Sequence, residues 1–376
     1  MSELEITDFE SLTRPAVRAV TPYFPGKPIA EVQRELGIRR VIKLASNENF
    51  MGPSPRALAA IRRDAKDNHL YPEGASPLLR QALAREHGVE PNQVLVGNGS
   101  DEVLRLLCEV LLTPDDEVVV AQHAFIRFKQ HAALMGAKVI EVPMTDWTHD
   151  LETMAKAASA RTKIVFVASP NNPTGTYNSR AEVVRLLKAL PETTIVAIDE
   201  AYYEYALGQS DYHRDLVSML AKHPNLLVLR TFSKSYGLAG LRVGYGVAHA
   251  ELVGWLDRAR LPFNVGLLAQ RAAVEALKDK AFVKRAVAQT IKNREALAAG
   301  LRKLGLAVVD SAANFLLAQP PIPGHALFRR LLKRGVIVRP LDEYGLAGHV
   351  RISIGSVAEN RILLEALARV LEESPR

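Results

Sequence analysis

The stretch TFSKSYGLAGLRVGYG, residues 231–246, overlaps the apolar run NLLVLRTF at 225–232. It places Lys234 just past the apolar run and Arg242 in a turn rich in glycine. A lysine amine whose pKa is lowered by burial or by a neighbouring cation can form a Schiff base with a carbonyl compound. An arginine offers a planar fork that suits phosphate. Taken alone, such a pair is more often two solvated surface residues. Other parts of the chain have to distinguish a catalytic lysine and a phosphate-binding arginine from that alternative.

Length and composition restrict the class of protein. The chain has 376 residues, 48% of them hydrophobic and 24% charged, which is typical of a globular protein with two domains. No apolar run approaches the roughly 18 residues of a membrane helix, so we expect no membrane partner. The start, MSELEITDFE, carries acids where a secretory signal has basic residues, and the single Cys108 excludes an internal disulfide. We therefore expect a cytoplasmic protein without a metal site.

The positive charge of the chain leaves two kinds of partner open. A net charge of +7 and a pI near 9.4 are compatible with nucleic acid or with small anionic substrates. Lysines and arginines are scattered, and neither zinc-finger spacing nor a basic aromatic motif is present. We therefore expect anion pockets and no nucleic-acid partner.

Strand-like and helix-like stretches alternate from about residue 94 to 247. The clearest strand-like runs are VLVG (94–97), EVVVA (117–121), KVIEV (138–142), KIVFVAS (163–169), TTIVAID (193–199) and NLLVLRTF (225–232). Continuous Val, Ile and Leu runs are typical of strands buried on both faces, as in parallel sheets. Helical patterns between them indicate βαβ units. The sequence predicts an α/β fold with a mostly parallel central sheet flanked by helices.

Beyond about residue 265 the pattern changes to long amphipathic helices, followed by short strands and a closing helix. We predict a smaller α+β domain there. The expected organisation is an N-terminal arm with part of the small domain at 1–45, a large domain at 46–262 and the small domain at 263–376.

Chemically suitable residues follow the ends of the strand-like runs, where open α/β sheets bind ligands. Gly99, Ser100 and Asp101 form a small-residue turn into a helix, which suits phosphate, although such a fragment taken alone is more often an ordinary helix cap. Asn172 lies in the rigid turn PNNPTG, which is unremarkable as turn chemistry alone. Asp199 ends its run, either as a site carboxylate or as a helix cap.

Together with Tyr202, Ser233, Lys234 and Arg242, these groups match the needs of pyridoxal 5′-phosphate: a lysine, an anion for the ring nitrogen, donors for the ring oxygen and a phosphate site. The motifs DEAYYEY, SPNNPTG and SKSYGLAGLRVGYG resemble the fold-type-I pyridoxal-phosphate aminotransferases of class I/II, and the match covers nearly the whole chain. Within that family, TPYFPGKP, KLASNENFMGPSP, YPEG, GNGSDE, GVIVRP and HVRISIG are similar to the branch that acts on histidinol phosphate.

The resemblance implies roles for individual residues. Lys234 would hold the cofactor and shuttle a proton, Asp199 would pair with the pyridinium nitrogen, and Tyr202 and Asn172 would donate to the ring oxygen. The residues implied to hold the phosphate are Gly99, Ser100, Asp101, Ser233 and Arg242. Tyr71, in HLYPEG, corresponds to a tyrosine that reaches the partner's cofactor phosphate, so the resemblance also implies a homodimer with shared active sites.

Two stretches depart from the family pattern. Phe125, in HAF, stands where a tyrosine often stacks on the cofactor ring; it can stack without hydrogen bonding, or it is an ordinary core phenylalanine. Phe50 and Met51 replace a commoner Pro-Leu and alter the expected substrate entrance.

Substrate choice depends on residues outside the opening stretch. An arginine fork matches both the phosphate of histidinol phosphate and the carboxylates of glutamate. Arg339 and Arg351 are the candidates; the alternatives are a surface residue beside Pro340 for Arg339 and a charge at a strand edge for Arg351, and the family resemblance favours the functional interpretation of both. Tyr23 in the arm and Asn47 in SNENF complete the expected substrate site.

The resemblance implies ping-pong transamination through a Lys234 Schiff base, with glutamate or 2-oxoglutarate and with histidinol phosphate or imidazole-acetol phosphate as substrates. An aromatic amino-acid aminotransferase is the nearest alternative, because such relatives share the cofactor motifs. A threonine-phosphate decarboxylase and a non-catalytic regulatory module that binds the cofactor are more distant alternatives.

Overall fold

Two sheets of different size organise the chain. The structure is a computed structural model that describes residues 8–22 and 26–373. The strands are β1 Ile42–Lys43, β2 Val94–Gly97, β3 Glu117–Ala121, β4 Lys138–Val142, β5 Met144–Thr145, β6 Thr148–His149, β7 Thr162–Ala168, β8 Ile195–Asp199, β9 Leu226–Thr231, β10 Gly244–Ala248, β11 Ala307–Val308, β12 Phe315–Gln319, β13 Val336–Ile337, β14 Arg339–Leu341 and β15 Leu346–Ser353.

Helices cover the sheets and connect their strands. They are α1 Phe9–Leu12, α2 Pro15–Arg18, α3 Ile29–Leu36, α4 Pro55–Asp64, α5 Pro77–His87, α6 Ser100–Leu111, α7 Ile126–Met135, α8 Leu151–Ala157, α9 Arg180–Ala189, α10 Tyr203–Ala206, α11 Ala250–Ala259, α12 Leu267–Lys278, α13 Lys280–Lys303, α14 Gly324–Leu332 and α15 Val357–Glu372. Short 3₁₀ helices occur at Ala65–Asp67, Pro91–Gln93, Val217–Ala221, Ala239–Leu241 and Asp342–Tyr344.

The larger sheet has seven strands in the order β2-β10-β9-β8-β7-β3-β4. All neighbours are parallel except that β10 runs antiparallel to β2 and β9. Strand β9 is buried along its whole length, as expected for strands covered on both faces. The carboxyl ends of β7, β8 and β9 therefore open together at one edge of the sheet.

Strand β10 is an element that the sequence pattern does not indicate. The pattern of residues 231–246 predicts a turn rich in glycine, whereas GYGVA at 244–248 forms a strand between β2 and β9. A β-carbon on Gly244 would lie 2.3 Å from the backbone nitrogen of Ser100. Glycine is needed here because the sheet passes so close to the start of α6.

The second sheet belongs to a separate hydrophobic core. Its order is β11-β12-β15-β14, and β1 pairs in parallel with β13 beside it. Ile42 and Leu44 pack in this core with Leu316 and Ile352, so the end of the predicted arm contributes to it. Helix α12 lies beyond the predicted boundary at residue 262 but packs its alanines in the first core.

In the part of the chain that the structure describes, no helix is both long and apolar enough to span a membrane. The same residues contain no cluster of three or more histidine, cysteine, aspartate or glutamate side chains suited to a metal ion.

Candidate active site

A cavity of about 270 Å³ lies at the carboxyl ends of β7, β8 and β9, beside the start of α6. Most of the residues expected from the sequence line it: Asn47, Gly99, Ser100, Asp101, Phe125, Asn172, Asp199, Tyr202, Ser233, Lys234, Arg242 and Arg351. Tyr71 and Arg339 lie elsewhere, and Tyr23 lies outside the described residues. The fold thus brings together groups that are far apart in sequence.

Lys234 follows β9 and presents its amine to the cavity. Nζ donates a long hydrogen bond of 3.5 Å to the backbone oxygen of Ser46 and lies 5.6 Å from the ring centroid of Tyr202. Burial, and then the nearby guanidinium of Arg351, lower the pKa of Lys234 to about 8. A lysine with that pKa is neutral often enough near neutral pH to act as a nucleophile or base.

Asp199 ends β8 and is 5% exposed. Its Oδ1 accepts a 3.0 Å hydrogen bond from the backbone N–H of Ala201, and no cation among the described residues pairs with it. Burial raises the pKa of Asp199 to about 7. A buried carboxylate without a protein cation fits a ligand that brings a positive N–H group to this position.

Tyr202 and Asn172 line the same cavity as Asp199. The Tyr202 hydroxyl accepts a 2.9 Å hydrogen bond from Nδ2 of Asn47, and Oδ1 of Asn172 accepts one of 2.6 Å from Nη1 of Arg351. Each side chain is thereby oriented by a neighbour that also lines the cavity. The Tyr202 hydroxyl proton and the Asn172 amide are suitable donors for a ring oxygen.

The start of α6 forms a cradle with Arg242. Gly99 has a φ of 76°, which L side chains rarely adopt, and a β-carbon there would lie 2.5 Å from Nη2 of Arg242. Nη1 of Arg242 donates a 3.4 Å hydrogen bond to Oγ of Ser233. Free N–H groups at the first turn of a helix, together with a guanidinium and a hydroxyl, fit a phosphate group.

Asp101 also lines the cavity, and its negative charge bears on how a phosphate could bind there. Its carboxylate accepts hydrogen bonds from Arg127 (3.1 and 3.3 Å) and His131 (3.0 Å). Although burial opposes it, these bonds lower the pKa of Asp101 to about 2. A phosphate contact at this position therefore falls to the backbone N–H, because the anionic carboxylate repels phosphate.

Phe125 lies at the cavity wall and caps the start of α7. Its ring packs edge-on against Phe128 at 5.7 Å between centroids. Phe125 therefore packs against a core side chain and also faces the cavity, where a planar ligand could stack on it. The two roles that the sequence leaves open, core packing and cofactor stacking, are compatible.

Arg351 and Arg339 lie directly opposite one another on β15 and β14, so their side chains share a face of the sheet. Arg351 is buried, lines the cavity, and donates 2.6 and 2.5 Å hydrogen bonds to Asn172 Oδ1 and the Ala45 backbone oxygen. Arg339 forms an ion pair with Glu343. Of the two, Arg351 is the one placed to meet a ligand anion.

Asn47 supports the floor of the cavity with a left-handed backbone, φ 56°. Ser353 Oγ accepts a hydrogen bond from its N–H and donates one to its Oδ1, both 2.8 Å, and Asn314 donates to its backbone oxygen. The sequence assigns Asn47 to substrate, and the geometry also makes it the partner that orients Tyr202.

Tyr71 is 82% exposed and stacks on Phe263 with ring centroids 4.7 Å apart. Leu70 and Leu78, which are also exposed, line the same surface cavity as Tyr71, and exposed Leu261 lies two residues before Phe263 in the sequence. Exposed apolar side chains of this kind are a common mark of a protein interface.

A buried network behind the cavity escapes the sequence patterns. Glu200 accepts 2.8 and 3.0 Å hydrogen bonds from Arg230 Nε and His213 Nδ1, and His213 Nε2 lies 2.9 Å from Ser169 Oγ. Ser169 and Asn172 share one loop, and Glu200 follows Asp199. The network therefore ties together the ends of β7, β8 and β9, and its only sequence signal is a glutamate beside the expected aspartate.

The arrangement as a whole fits pyridoxal phosphate. A lysine of lowered pKa and a buried carboxylate face one cavity. The cradle at Gly99 has space for a phosphate, and a side chain at position 99 would occupy that space. These are the amine, the counter-ion and the anion site that the cofactor requires.

Comparison with known proteins agrees with this geometry. A family model described as aminotransferase class I and II matches residues 39–367. A histidinol-phosphate aminotransferase of Anaeromyxobacter sp. (strain Fw109-5) is 47% identical over 362 residues, covering 96% of this chain and 99% of the relative. One from Moorella thermoacetica is 45% identical over 358 residues, covering 95% and 92%.

Solved structures show the same fold. The histidinol-phosphate aminotransferase of Sinorhizobium meliloti in complex with pyridoxal-5′-phosphate superposes with a TM-score of 0.88 at 30% identity, covering 96% of this chain and 98% of that one. An aspartate aminotransferase of Thermus thermophilus with maleate gives 0.82 at 28% identity, covering 95% and 99%. The predicted α/β fold class and the cofactor are confirmed.

Proposed function

Because the chain belongs to the aminotransferases of class I and II, we propose that it transfers an amino group between histidinol phosphate and 2-oxoglutarate, as a step of histidine biosynthesis. The observation that carries the chemistry is the pair Lys234 and Asp199, which face one cavity with a phosphate cradle beside them. The substrate is supported by Arg351 in the same cavity and by relatives of 42–47% identity that bear this enzyme's name.

The cofactor would be held at three points. Lys234 Nζ would bond to its aldehyde, Asp199 would face its ring nitrogen, and the turn at Gly99 with Arg242 would hold its phosphate. Bound pyridoxal phosphate supplies the carbonyl that exchanges the amino group and a protonated ring that withdraws electrons from the substrate carbon. Tyr202 and Asn172 would orient the ring through its oxygen, and Phe125 would pack on its face.

Lys234 has a second task as a general base. Lys234 would be released for this task when the substrate amine replaces it at the cofactor carbonyl carbon. Its pKa of about 8 then leaves part of the free amine neutral at pH 7, and Nζ can accept the proton from the substrate carbon that carries the amino group. Arg351 lowers that pKa and also lies where a substrate anion would bind. A substrate anion paired with Arg351 would therefore make the Lys234 amine more basic.

One site has to serve two substrates in turn. Glutamate presents a carboxylate next to its amino group, whereas histidinol phosphate presents a phosphate ester further along. The guanidinium of Arg351 can bind either anion through two hydrogen bonds, which suits a ping-pong reaction in which 2-oxoglutarate leaves before imidazole-acetol phosphate enters. Arg339 and Tyr23 remain predicted phosphate ligands.

Competing substrates test this proposal. We would measure kcat/KM for histidinol phosphate, phenylalanine and threonine phosphate with 2-oxoglutarate as acceptor. We expect histidinol phosphate to be preferred over phenylalanine by at least about tenfold, or about 1.4 kcal/mol of transition-state binding. A tenfold preference for phenylalanine would identify an aromatic aminotransferase, and carbon dioxide release from threonine phosphate would identify a decarboxylase.

We also propose a homodimer in which Tyr71 reaches the partner's site, and a cytoplasmic location. The exposed stack of Tyr71 on Phe263 supports the first proposal, and the single buried Cys108 the second. Mixing Tyr71→Phe with Lys234→Ala chains tests the dimer. Hybrids regain one native site if Tyr71 acts across the interface, and they gain nothing if it acts within its own chain.

A further inference from the structure

The phosphate cradle contains a carboxylate of the same sign as its proposed ligand. Asp101 lies in the first turn of α6, two residues after Gly99, and lines the cavity. A phosphate monoester carries a charge of about −1.5 to −2 at neutral pH. An unneutralised Asp101 would oppose its binding.

Arg127 neutralises this carboxylate from outside the cavity. Its Nε and Nη2 donate to the two carboxylate oxygens of Asp101 at 3.1 and 3.3 Å. His131, one helical turn further along α7, lies 3.0 Å from the same carboxylate through Nε2. Arg127 is absent from the cavity lining, so it meets neither cofactor nor substrate directly.

Arg127 is itself fixed in place. Nη1 donates a 2.8 Å hydrogen bond to Oε1 of Gln130, and Nε2 of Gln130 donates one of 3.1 Å to the backbone oxygen of Thr21. The guanidinium therefore has partners on two sides, and only 24% of the side chain is exposed. A charge held in this way acts with little loss of side-chain entropy.

We propose that Arg127 is a positioning residue that sets the affinity for the cofactor phosphate by cancelling the charge of Asp101. The inference rests on the cofactor placement proposed above but not on the identity of the amino-group substrates. No sequence motif indicates the pairing of Arg127 with Asp101, because the two residues are 26 positions apart.

The protonation of the site supports this role. The pKa of Asp101, about 2, keeps the carboxylate charged at every working pH, so its repulsion of phosphate cannot be relieved by protonation. The charge of Asp101 also contributes to the raised pKa of Asp199. Burial is the largest cause of that raised pKa, so Arg127 acts mainly at the phosphate end of the cofactor site.

Two probes separate the phosphate from the rest of the cofactor. The full-length chain, stripped of cofactor, is titrated with pyridoxal phosphate and with pyridoxal, which lacks the phosphate, and binding is followed by absorbance. We expect Arg127→Gln to weaken pyridoxal phosphate binding about tenfold, or about 1.4 kcal/mol, and to leave pyridoxal binding within about twofold. Adding Asp101→Asn should restore most of the lost affinity.

A matched control and three contrary results complete the test. Lys129→Gln removes a cation from the same helix that pairs with Glu141 instead, and it should change neither affinity. Equal weakening of both probes by Arg127→Gln, or no rescue by Asp101→Asn, would overturn the role of Arg127 while leaving the cofactor placement intact. If the wild-type chain binds both probes equally well, the phosphate placement fails, and this inference fails with it.

Discussion

Asp199 and Glu200 are adjacent buried carboxylates that meet opposite surroundings. On the cavity side, Asp199 accepts one backbone hydrogen bond, and burial raises its pKa to about 7. Behind the cavity, Arg230 and His213 outweigh the effect of burial and lower the pKa of Glu200. The protein pairs the charge of Glu200 with its own cations and leaves the charge of Asp199 for a ligand. This difference commonly distinguishes a structural ion pair from a functional group.

The comparison is tested most strongly by Asp199→Asn. Asparagine keeps the oxygen that accepts the Ala201 N–H but cannot supply a charge to the cofactor ring. We expect kcat to fall by roughly 10³-fold. Steady-state kinetics at saturating cofactor would check this, and a loss below about tenfold would show that the charge of Asp199 is not used.

The same variant should make the cofactor-free chain more stable. The native pKa of about 7 lies above the ordinary 3.8, so ionised Asp199 is penalised in the folded state. The gain on replacement by asparagine is full above pH 7 and is lost as the pH falls towards 4; we expect on the order of 2 to 4 kcal/mol at pH 8. Urea unfolding at pH 8 and pH 5 measures it, and destabilisation at pH 8 would contradict the comparison.

Glu200→Gln should act in the opposite direction. It leaves the buried guanidinium of Arg230 without its anion, and breaking such a pair costs about 3–5 kcal/mol of unfolding free energy. Urea unfolding of the cofactor-free chain would show the loss. The exposed Glu192→Gln, whose side chain has no ion pair among the described contacts, should remain within about 0.5 kcal/mol of wild type. Equal stability of the two variants would mean that the Glu200 network contributes nothing to the free energy of unfolding.

The opposing arginines of the second sheet provide a smaller contrast. Arg351→Lys removes the fork at the cavity and should lower kcat/KM for both glutamate and histidinol phosphate by about 10–100-fold. Arg339→Lys, beside it but paired with Glu343, should cost less than about tenfold. Kinetics with each substrate would compare them, and a larger loss for Arg339 would reverse their assignment.

The pH dependence of cofactor addition is the mildest test. Since only the neutral amine of Lys234 reacts with an aldehyde, the rate of pyridoxal phosphate addition to the cofactor-free chain should rise about tenfold per pH unit up to about pH 8 and then level off. A free lysine derivative, with a pKa of about 10.4, should keep rising beyond pH 9. Stopped-flow absorbance would distinguish the two, and an identical profile for the protein would mean that burial does not alter Lys234.

The strand ends were accessible from sequence because apolar runs locate parallel strands, whose carboxyl ends meet at one edge. Lys234, Asp199 and Asn172 follow from that rule and the family resemblance. Strand β10 could not be predicted from the sequence in this way. The glycines of GYGVA are typical of a turn, whereas in the structure they allow the strand to lie close to the start of α6.

Tertiary ion pairs set a second limit on what the sequence shows. The partners of Asp101 and Glu200 lie 13 to 30 residues away, on segments whose relative placement no local pattern specifies. The different partners of Arg351 and Arg339 likewise depend on the register of β14 against β15.

Chemical trapping of Lys234 tests the central claim most directly. The purified protein, supplied with pyridoxal phosphate, is reduced with borohydride, digested and analysed by mass spectrometry. We predict one pyridoxyl phosphate group per chain, attached to Lys234, and no labelling of the Lys234→Ala variant. Labelling of a different lysine, or of the Lys234→Ala chain to the same extent, would contradict the placement of the cofactor at the end of β9.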